Sequence, residues 1–343
     1  MSEYEGDLRS SSMELKHDRE WSYEIDRIRD KIDEHNADRV GLQFPQGLKR
    51  KSTGVAEDLK QRTEDVTFLI SGQPCYGACD IDTDLFRFTD LLVHFGHSPM
   101  QESPKIVYVP VFSNVDVEPI MRKSLDELDS TEPVCLVTTA QHMNKFDEMK
   151  EILSQNEYNV QTRRGSERLT NEGQVLGCNY ASADVEADQV LYVGGGEFHP
   201  MGLAMSHPEK KVVIADPVNN NVKIADPEKF VKQRYAVIHN AMDAESFGVI
   251  YCTKIGQGRI EKAEDIVRSN ENAFLITLDE VTPERLQQFD VDAYVNTGCP
   301  RITTDDAGRF SDPMLTPEEY EIVMGEKDMD QLSFDTFHGT WSP

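Results

Sequence analysis

The feature that most constrains the fold is one phrase that occurs three times along the chain. Each copy is an aspartate, a mostly apolar stretch and a glycine six residues after the aspartate. The copies are DLLVHFG (90–96), DQVLYVG (188–194) and DAYVNTG (292–298). Self-similarity that recurs in the same order predicts repeated structural units. We therefore expect three copies of one unit of about 100 residues, a normal domain size.

Apolar runs alternate with helical patterns throughout the chain. The runs are short and rich in strand-forming residues, and the segments between them carry apolar residues at three- and four-residue spacing. This alternation predicts parallel sheets covered by helices. The fold-class prediction is α/β, with three pseudo-symmetric repeats of a parallel-sheet domain around a central site. The predicted strands are 40–44, 66–70, 91–95, 106–110, 134–138, 157–161, 190–194, 212–216, 247–251, 273–277 and 293–297.

The repeat also predicts where the chain divides. The expected cuts lie near residues 126 and 240, and a short amphipathic helix is expected from Pro317, to pack on a neighbouring domain or a partner subunit. The predicted regions are a disordered acidic extension (1–20), three α/β repeats (21–126, 127–240 and 241–325) and a C-terminal tail (326–343).

Acidic residues exceed basic ones by a wide margin, with 62 Asp and Glu against 35 Lys and Arg and a net charge of −27. Such a field opposes nucleic acids and anionic membranes, which bind basic surfaces. Because the excess is spread along the whole chain, it indicates a solvated halophilic surface suited to a salt-rich cytoplasm. With no spanning apolar run and no signal-peptide core, we expect a cytoplasmic protein whose six cysteines stay reduced.

Three of the cysteines occupy related places in the repeat. Cys79 lies eleven residues before Asp90, Cys178 lies ten residues before Asp188, and Cys299 directly follows the glycine of the third copy. Each repeat thus has one cysteine beside a glycine, on a loop near a strand end. Ligands bind at the carboxyl ends of strands in open α/β sheets, so three domains around one centre would bring three thiols together.

Two kinds of metal site are candidates for these thiols. A structural zinc ion normally takes four ligands, often in close pairs, whereas Cys75 and Cys79 have the spacing C-x3-C with no third cysteine nearby. A 4Fe–4S cluster held by three thiolates would keep one iron open for a substrate. From spacing alone, a cluster site and a set of buried, inert cysteines both stay open.

Longer phrases connect the chain to a known family. From about Gly41 to Pro317 the chain resembles the archaeal diphthamide synthase family, the 2-(3-amino-3-carboxypropyl)histidine synthases. The phrases that carry the resemblance, in family order, are QFPQGLK, YGACD, LLVHFGHS, TTAQH, GQVLGCN, YVGGGEFHPMGLA and TGCPRI.

The resemblance implies a homodimer of three-domain subunits in which Cys79, Cys178 and Cys299 hold a 4Fe–4S cluster. It implies that S-adenosylmethionine binds the open iron and that an electron donor reduces the cluster. One electron then breaks the bond to the methionine γ-carbon, which releases methylthioadenosine and a 3-amino-3-carboxypropyl radical. The radical attacks a histidine of elongation factor 2, the first step of diphthamide formation. No catalytic side chain beyond the cluster ligands is implied.

Several residues are candidates for holding the substrate. A glycine triplet that follows a strand would let backbone amides approach the adenosine or methionyl part, although a tight turn explains it equally well. Glutamines follow the first strand of each repeat and could hydrogen-bond the ligand or satisfy inter-domain backbone, and Gln257 is the best candidate ligand among Gln46, Gln141 and Gln257. The triplet is Gly194, Gly195 and Gly196.

Arg301 and His97 are the remaining substrate candidates. Arg301 could clamp a substrate carboxylate, or form an ion pair with Asp305 or Asp306. His97 follows a strand and could line the pocket, whereas His94 alternates with apolar neighbours and reads as a core histidine.

The other cysteines have simpler readings. Cys75 could be a ligand, but the YGACD phrase centres on Cys79 and favours a spare thiol. Cys135 is expected in the core, and Cys252 in the core or in a pocket wall.

Two other functions fit part of the pattern. Quinolinate synthase also resembles three α/β domains around a three-cysteine 4Fe–4S cluster, and it uses the open iron for dehydration and condensation without a radical. A non-catalytic, cluster-bearing scaffold subunit is the second alternative.

Overall fold

The computed structural model describes residues 20–100 and 103–337, and the predicted disordered extension lies outside them except for Glu20. The chain divides into two compact units, Met1–Pro119 with Thr138–Ile152 and Ile120–Val137 with Leu153–Pro343. The division into three repeats stays a prediction. Within the described ranges, no helix is both long and apolar enough to cross a bilayer.

The first unit contains a four-stranded parallel sheet of order β3-β2-β4-β5 and an antiparallel ribbon of β1 with β6. Its elements are β1 (Trp21–Tyr23), α1 (Ile25–His35), β2 (Arg39–Gln43), α2 (Ser52–Lys60), β3 (Thr67–Ile70), β4 (Leu91–Phe95), β5 (Ile106–Val109) and β6 (Val111–Ser113). Helix α1 buries Ile25, Ile28 and Ile32, whose three- and four-residue spacing places them on one face, against the sheet.

The second sheet has the order β11-β10-β9-β7-β8, and its only antiparallel pair among the described strands is β10 with β11. Its core cluster includes Tyr180 and Tyr192, which are almost fully buried. Helices α3 and α4 run across the boundary between the units. The elements are α3 (Glu118–Ser124), β7 (Val134–Thr138), α4 (Phe146–Gln155), β8 (Val160–Gln161), β9 (Gln189–Val193), α5 (Phe198–Ser206), β10 (Lys211–Asp216), β11 (Asn221–Ile224) and α6 (Glu228–Ala241).

The third sheet is parallel throughout, with the order β13-β12-β14-β15. Helices α6, α7 and α10 supply the apolar side chains that cover it. Its elements are β12 (Phe247–Cys252), α7 (Ile260–Ser269), β13 (Ala273–Leu278), α8 (Pro283–Leu286), β14 (Ala293–Asn296), α9 (Pro300–Thr304), β15 (Met314–Leu315) and α10 (Pro317–Val323).

The α/β prediction is confirmed, and all eleven predicted strands are present, although β8 has only two residues. The strands of each of these three sheets can be numbered in chain order within the sheet. The second strand then lies at one edge, the first lies beside it, and the third and fourth follow in that order. The repeated phrase forms β4, β9 and β14, the third strand in each case. The phrase therefore marks one topological position.

The aspartates of the first and third copies have a structural role. Asp90 accepts a hydrogen bond from the backbone N–H of Arg39 at 2.9 Å, and Asp292 accepts one from that of Ser246 at 2.9 Å. Both bonds hold the segment that leads into the neighbouring first strand, β2 or β12. In these two copies the repeated aspartate thus fixes strand pairing.

Candidate functional site

In the first unit, Cys79 lies on a tight loop between β3 and β4. Asp80 organises the loop, because its Oδ2 accepts from the backbone N–H of Tyr76 at 2.7 Å and of Gly77 at 2.9 Å. A side chain at Gly77 would place its Cβ 3.6 Å from the Cys79 sulfur. The glycine therefore leaves space beside the thiol for a bulky group.

Also in the first unit, His97 is half-buried and belongs to a polar network with His94 and Cys75. Its Nδ1 lies 3.0 Å from His94 Nε2 and 3.9 Å from Cys75 Sγ. The Nδ1 of His94 lies 2.8 Å from the Oε1 of Gln43. Burial lowers the pKa of His97 to about 4, so its imidazole is neutral near pH 7. The expectation that His94 is a core histidine with polar partners is confirmed.

In the second unit, Cys178 lies on the loop before β9, and Cys299 lies between β14 and α9. Burial, with a smaller contribution from the Cys178 thiol, raises the pKa of Cys299 to about 12. The Oε1 of Gln257 accepts from the backbone N–H of Cys299 at 3.3 Å. Gln257 is buried and positions the Cys299 loop, so its side chain is committed to the protein.

Arg168 lies against the sulfur of Cys178. Burial raises the pKa of the Cys178 thiol, while the charge of Arg168 and a hydrogen bond from its side chain lower it. Arg168 also donates from Nη1 to the backbone oxygen of Gly256 at 3.1 Å. Since Gly256 precedes Gln257, this arginine connects the two cysteine loops.

The described end of the chain packs behind the same loops. We call Phe334–Phe337 the C-terminal segment. Its last residue donates from its backbone N–H to the backbone oxygen of Cys178 at 2.7 Å, and Asn179 Nδ2 donates to the oxygen of Phe337 at 2.6 Å. Phe334 packs edge-on against Tyr180 in the second-unit core.

Arg259 ties this segment to the Cys299 loop. Its guanidinium binds both carboxylate oxygens of Asp335 at 2.7 and 2.6 Å and lies 4.2 Å from the centre of the Phe337 ring. Its Nε donates to the backbone oxygen of Thr297 at 2.6 Å. Because Thr297 lies two residues before Cys299, the segment supports both thiol-bearing loops of the second unit.

The other candidates are placed differently. Gln46 is exposed, and its backbone N–H donates to the oxygen of Cys75 at 2.6 Å. Arg301 forms the alternative ion pair, with Asp305 at 3.0 Å, and lies 4.7 Å from the Phe198 ring centre, yet 46% of its side chain is exposed. The ion pair with Asp305 is confirmed, and the exposed face leaves room for a ligand.

The glycine triplet joins β9 to α5. Gly196 has a φ of +79°, in the left-handed region that favours glycine, and nothing lies near its missing side chain. Gly195 lies beside the carboxylate of Asp216, while Gly194 donates from its N–H to the backbone oxygen of Ala215 at 3.0 Å. A turn and a ligand-binding loop are both compatible with this geometry.

Sequence reasoning missed the residues that support the cysteines. Arg259 stands two residues after Gln257 in the GQGR phrase, so its place beside a candidate ligand was a usable signal. Arg168, Asp335 and Phe337 lie outside every phrase quoted above and had no such signal.

The donor set fits an iron–sulfur cluster. All six cysteines of the chain lie in the described ranges and none forms a disulfide. Cys178 and Cys299 lie on two loops of the second unit that Arg168 connects, and the charge of Arg168 lowers the pKa of the Cys178 thiol against the raising effect of burial. In the first unit, Cys79 lies on a loop that also contains Gly77.

Comparison with known proteins identifies the family. The model of the diphthamide synthesis protein family matches residues 44–333. The 2-(3-amino-3-carboxypropyl)histidine synthase of Pyrococcus horikoshii is 38% identical over 313 residues, which cover 88% of this chain and 90% of that protein. Subunit 1 of the Schizosaccharomyces pombe synthase is 28% identical, covering 94% of this chain and 79% of its own.

Solved structures agree with the sequence comparison. The crystal structure of Dph2 from Pyrococcus horikoshii matches with a TM-score of 0.85 and 35% identity, and covers 93% of this chain and 95% of that chain. A second structure of that protein, with a 4Fe–4S cluster, also has a TM-score of 0.85 at 35% identity. The match covers 94% of this chain and 95% of that chain. The chain therefore belongs to the diphthamide synthesis protein family.

Proposed function

We propose that this chain is a 2-(3-amino-3-carboxypropyl)histidine synthase. It transfers the 3-amino-3-carboxypropyl group of S-adenosylmethionine to a histidine of elongation factor 2, the first step of diphthamide synthesis. The observation that carries the proposal is the 38% identity to the Pyrococcus synthase over nearly the full length of both chains. No finding favours the quinolinate synthase or scaffold alternatives.

The proposed cluster ligands are Cys79, Cys178 and Cys299. When bound, a three-thiolate 4Fe–4S cluster supplies the single electron for radical cleavage of the sulfonium and an open iron for the substrate. The protein holds the thiols in place: Gln257 fixes the backbone at Cys299, and Arg168 holds Cys178.

The substrate would be oriented by residues beside these thiols. We assign the carboxylate of S-adenosylmethionine to Arg301, because its guanidinium carries an exposed face and lies close enough to Cys299 to lower the pKa of that thiol. Of the glycine triplet, Gly195 and Gly196 offer backbone N–H groups to the same substrate, whereas the N–H of Gly194 is bound to the oxygen of Ala215. Gln46 and His97 are weaker candidates, since one is exposed and the other is committed to His94 and Cys75.

The proposal also names partners and a setting. Elongation factor 2 is the protein substrate, an electron donor reduces the cluster, and the synthase works as a homodimer. Free thiols are typical of proteins in a reducing cytoplasm. The acidic composition is typical of proteins from a halophilic archaeon.

The test is a reaction under anaerobic conditions with dithionite, S-adenosylmethionine and elongation factor 2. We expect methylthioadenosine and a modified histidine on the factor. A cluster-loaded chain that yields neither would overturn the proposal, whereas activity only with a second polypeptide would support the scaffold alternative.

The ligand assignment has its own test. Iron and sulfide analysis should give about four irons per chain, with loss in Cys79→Ala, Cys178→Ala and Cys299→Ala. Cys135→Ala is the matched control, because Cys135 is buried and contacts the backbone oxygen of Ser182 at 3.8 Å. Full iron content in any of the three single variants would remove that cysteine from the ligand set.

A further inference from the structure

A second group of metal-ligand atoms lies at the carboxyl end of β4, in the first unit. The Sγ of Cys75 and one ring nitrogen each from His94 and His97 all lie within 4.8 Å of one another. The side chains of Cys75 and His94 are fully buried. One sulfur and two imidazole nitrogens are donor atoms that zinc takes in proteins.

The orientation of His94 is set by a residue behind it. Gln43 donates from Nε2 to the backbone oxygen of Asp80, and its Oε1 accepts from the backbone N–H of Asp82 at 3.1 Å. That oxygen is therefore the acceptor for the Nδ1–H of His94, at 2.8 Å. The Nε2 of His94 is left with a lone pair that points at His97. Metal-binding histidines are held in the same way, by a hydrogen bond from the other ring nitrogen.

We propose that Cys75, His94 and His97 form a zinc site, separate from the thiols assigned to the cluster. Zinc binds sulfur at about 2.3 Å and nitrogen at about 2.0–2.1 Å in tetrahedral geometry, which places two nitrogens about 3.3 Å apart and nitrogen and sulfur about 3.6 Å apart. The corresponding distances here are 3.0 Å between His97 Nδ1 and His94 Nε2, and 3.9 Å between His97 Nδ1 and Cys75 Sγ. The third pair, Cys75 Sγ and the His94 nitrogen, lies within 4.8 Å, so the thiol and the imidazoles would move closer together by up to about 1 Å to complete the coordination.

The surrounding charges suit a divalent ion. A zinc ion with one thiolate ligand keeps a single positive charge. The negative charge of the Asp80 carboxylate acts electrostatically at the imidazole of His97. A borderline-soft ion with a preference for nitrogen and sulfur matches this donor set better than magnesium or calcium does.

The site would have a structural consequence. Cys75 stands four residues before Cys79 on the loop that Asp80 organises, and His94 lies at the end of β4. Zinc would therefore fasten the Cys79 loop to the sheet, and a fourth position would remain for water or another ligand.

The experiment is metal analysis of the cluster-loaded protein, purified anaerobically and supplied with Zn²⁺ alone, together with X-ray absorption at the zinc edge. We expect about one zinc per chain with one sulfur and two nitrogen ligands. Cys75→Ser and His97→Ala should lose most of this zinc, and Cys135→Ser should keep it. The absorption spectrum of the unaltered chain serves as evidence even where a variant folds poorly.

Two results would overturn the proposal. One is a cluster-loaded chain that binds no zinc, or binds it equally well in Cys75→Ser. The other is a zinc shell of three or more sulfurs, which would place the ion in the cluster thiols. Iron content and methylthioadenosine release, measured on the same samples, report on the proposed function independently, so either proposal can fail alone.

Discussion

The arginine beside Cys178 is the residue best placed to tune the chemistry of the proposed cluster. Hydrogen bonds to ligand sulfurs raise the reduction potential of an iron–sulfur cluster, because they stabilise the more negative, reduced state. Arg168 makes such a bond and is buried while doing so. Its effect on the potential should therefore exceed that of any exposed arginine.

We expect Arg168→Gln to lower the midpoint potential of the cluster. A bond that is about 1.4 kcal/mol stronger in the reduced state corresponds to about 60 mV for a one-electron couple. A redox titration followed by electron paramagnetic resonance measures this change. Arg163→Gln is the control, because Arg163 is exposed and donates to the backbone oxygen of Asp184 at 2.9 Å. Equal potentials in the two variants would show that Arg168 has only a packing role.

The exposed guanidinium of Arg301 should act on binding more than on the chemical step. We expect Arg301→Gln to raise the KM for S-adenosylmethionine about tenfold or more, since a hydrogen bond to a charged group contributes about 1.5–3 kcal/mol. The carboxylate does not change during the reaction, so kcat should fall much less. Arg309→Gln removes a comparable exposed arginine that pairs with Asp306, and it should leave KM unchanged. An unaltered KM in Arg301→Gln would reassign the substrate carboxylate.

At the level of elements, one buried ion pair joins α6 to α10. Arg234 binds both oxygens of Glu319 at 2.7 and 2.6 Å, and their side chains are only 4% and 3% exposed. The same guanidinium donates to the backbone oxygens of Thr303 at 2.6 Å and Met314 at 2.7 Å. The pair therefore connects two helices, the end of α9 and strand β15.

We expect Glu319→Gln to destabilise the second unit by about 3–5 kcal/mol, because it leaves a buried guanidinium without its counter-charge. The matched control is Glu264→Gln, which breaks an exposed pair with Arg268 on one helix and should cost about 0.3–0.5 kcal/mol. Urea unfolding followed by circular dichroism measures both changes. A cost below 1 kcal/mol for Glu319→Gln would mean that water or another group replaces the lost carboxylate.

Elements with a strong local pattern could be predicted from the sequence. The buried parallel strands are continuous apolar runs, and the start of α10 carries Thr316, Pro317 and Glu319, a capping box that the structure contains. Strands β1, β6, β11 and β15 were missed, since each has two to four residues and owes its pairing to a distant partner. Local patterns contain no information about such partners.

The same reason separates the predicted site residues from the missed ones. Cys79, Cys178 and Cys299 stand beside glycines in repeated surroundings, so sequence alone could select them. Gln46 was chosen over Gln43 because it recurs in the repeat, yet Gln43 is the buried glutamine that orients His94. Asp335 forms an ion pair with Arg259, which is 76 residues away in the chain, and only the folded structure reveals that pairing.

At the scale of the whole molecule, the dominant physical property is a net charge of −27. Carboxylates spread over the whole chain repel one another in the folded state and favour expansion. Screening shortens the range of this repulsion from about 10 Å at 0.1 M salt to about 3 Å at 1 M. The exposed ion pairs cannot offset the repulsion, because each contributes little. Salt should therefore stabilise this fold through its ionic strength.

We expect the Tm of the protein to rise by several degrees between 0.1 and 1 M KCl, measured by scanning calorimetry under anaerobic conditions. Salts also strengthen hydrophobic burial, and sulfate does so more than chloride. Potassium sulfate at matched ionic strength separates the two effects. If screening dominates, the two salts give the same Tm at each ionic strength up to about 0.5 M, where the screening length has already fallen to a few ångströms. A Tm that is flat in KCl and rises only in sulfate would show that burial, and not charge repulsion, limits the stability of this acidic chain.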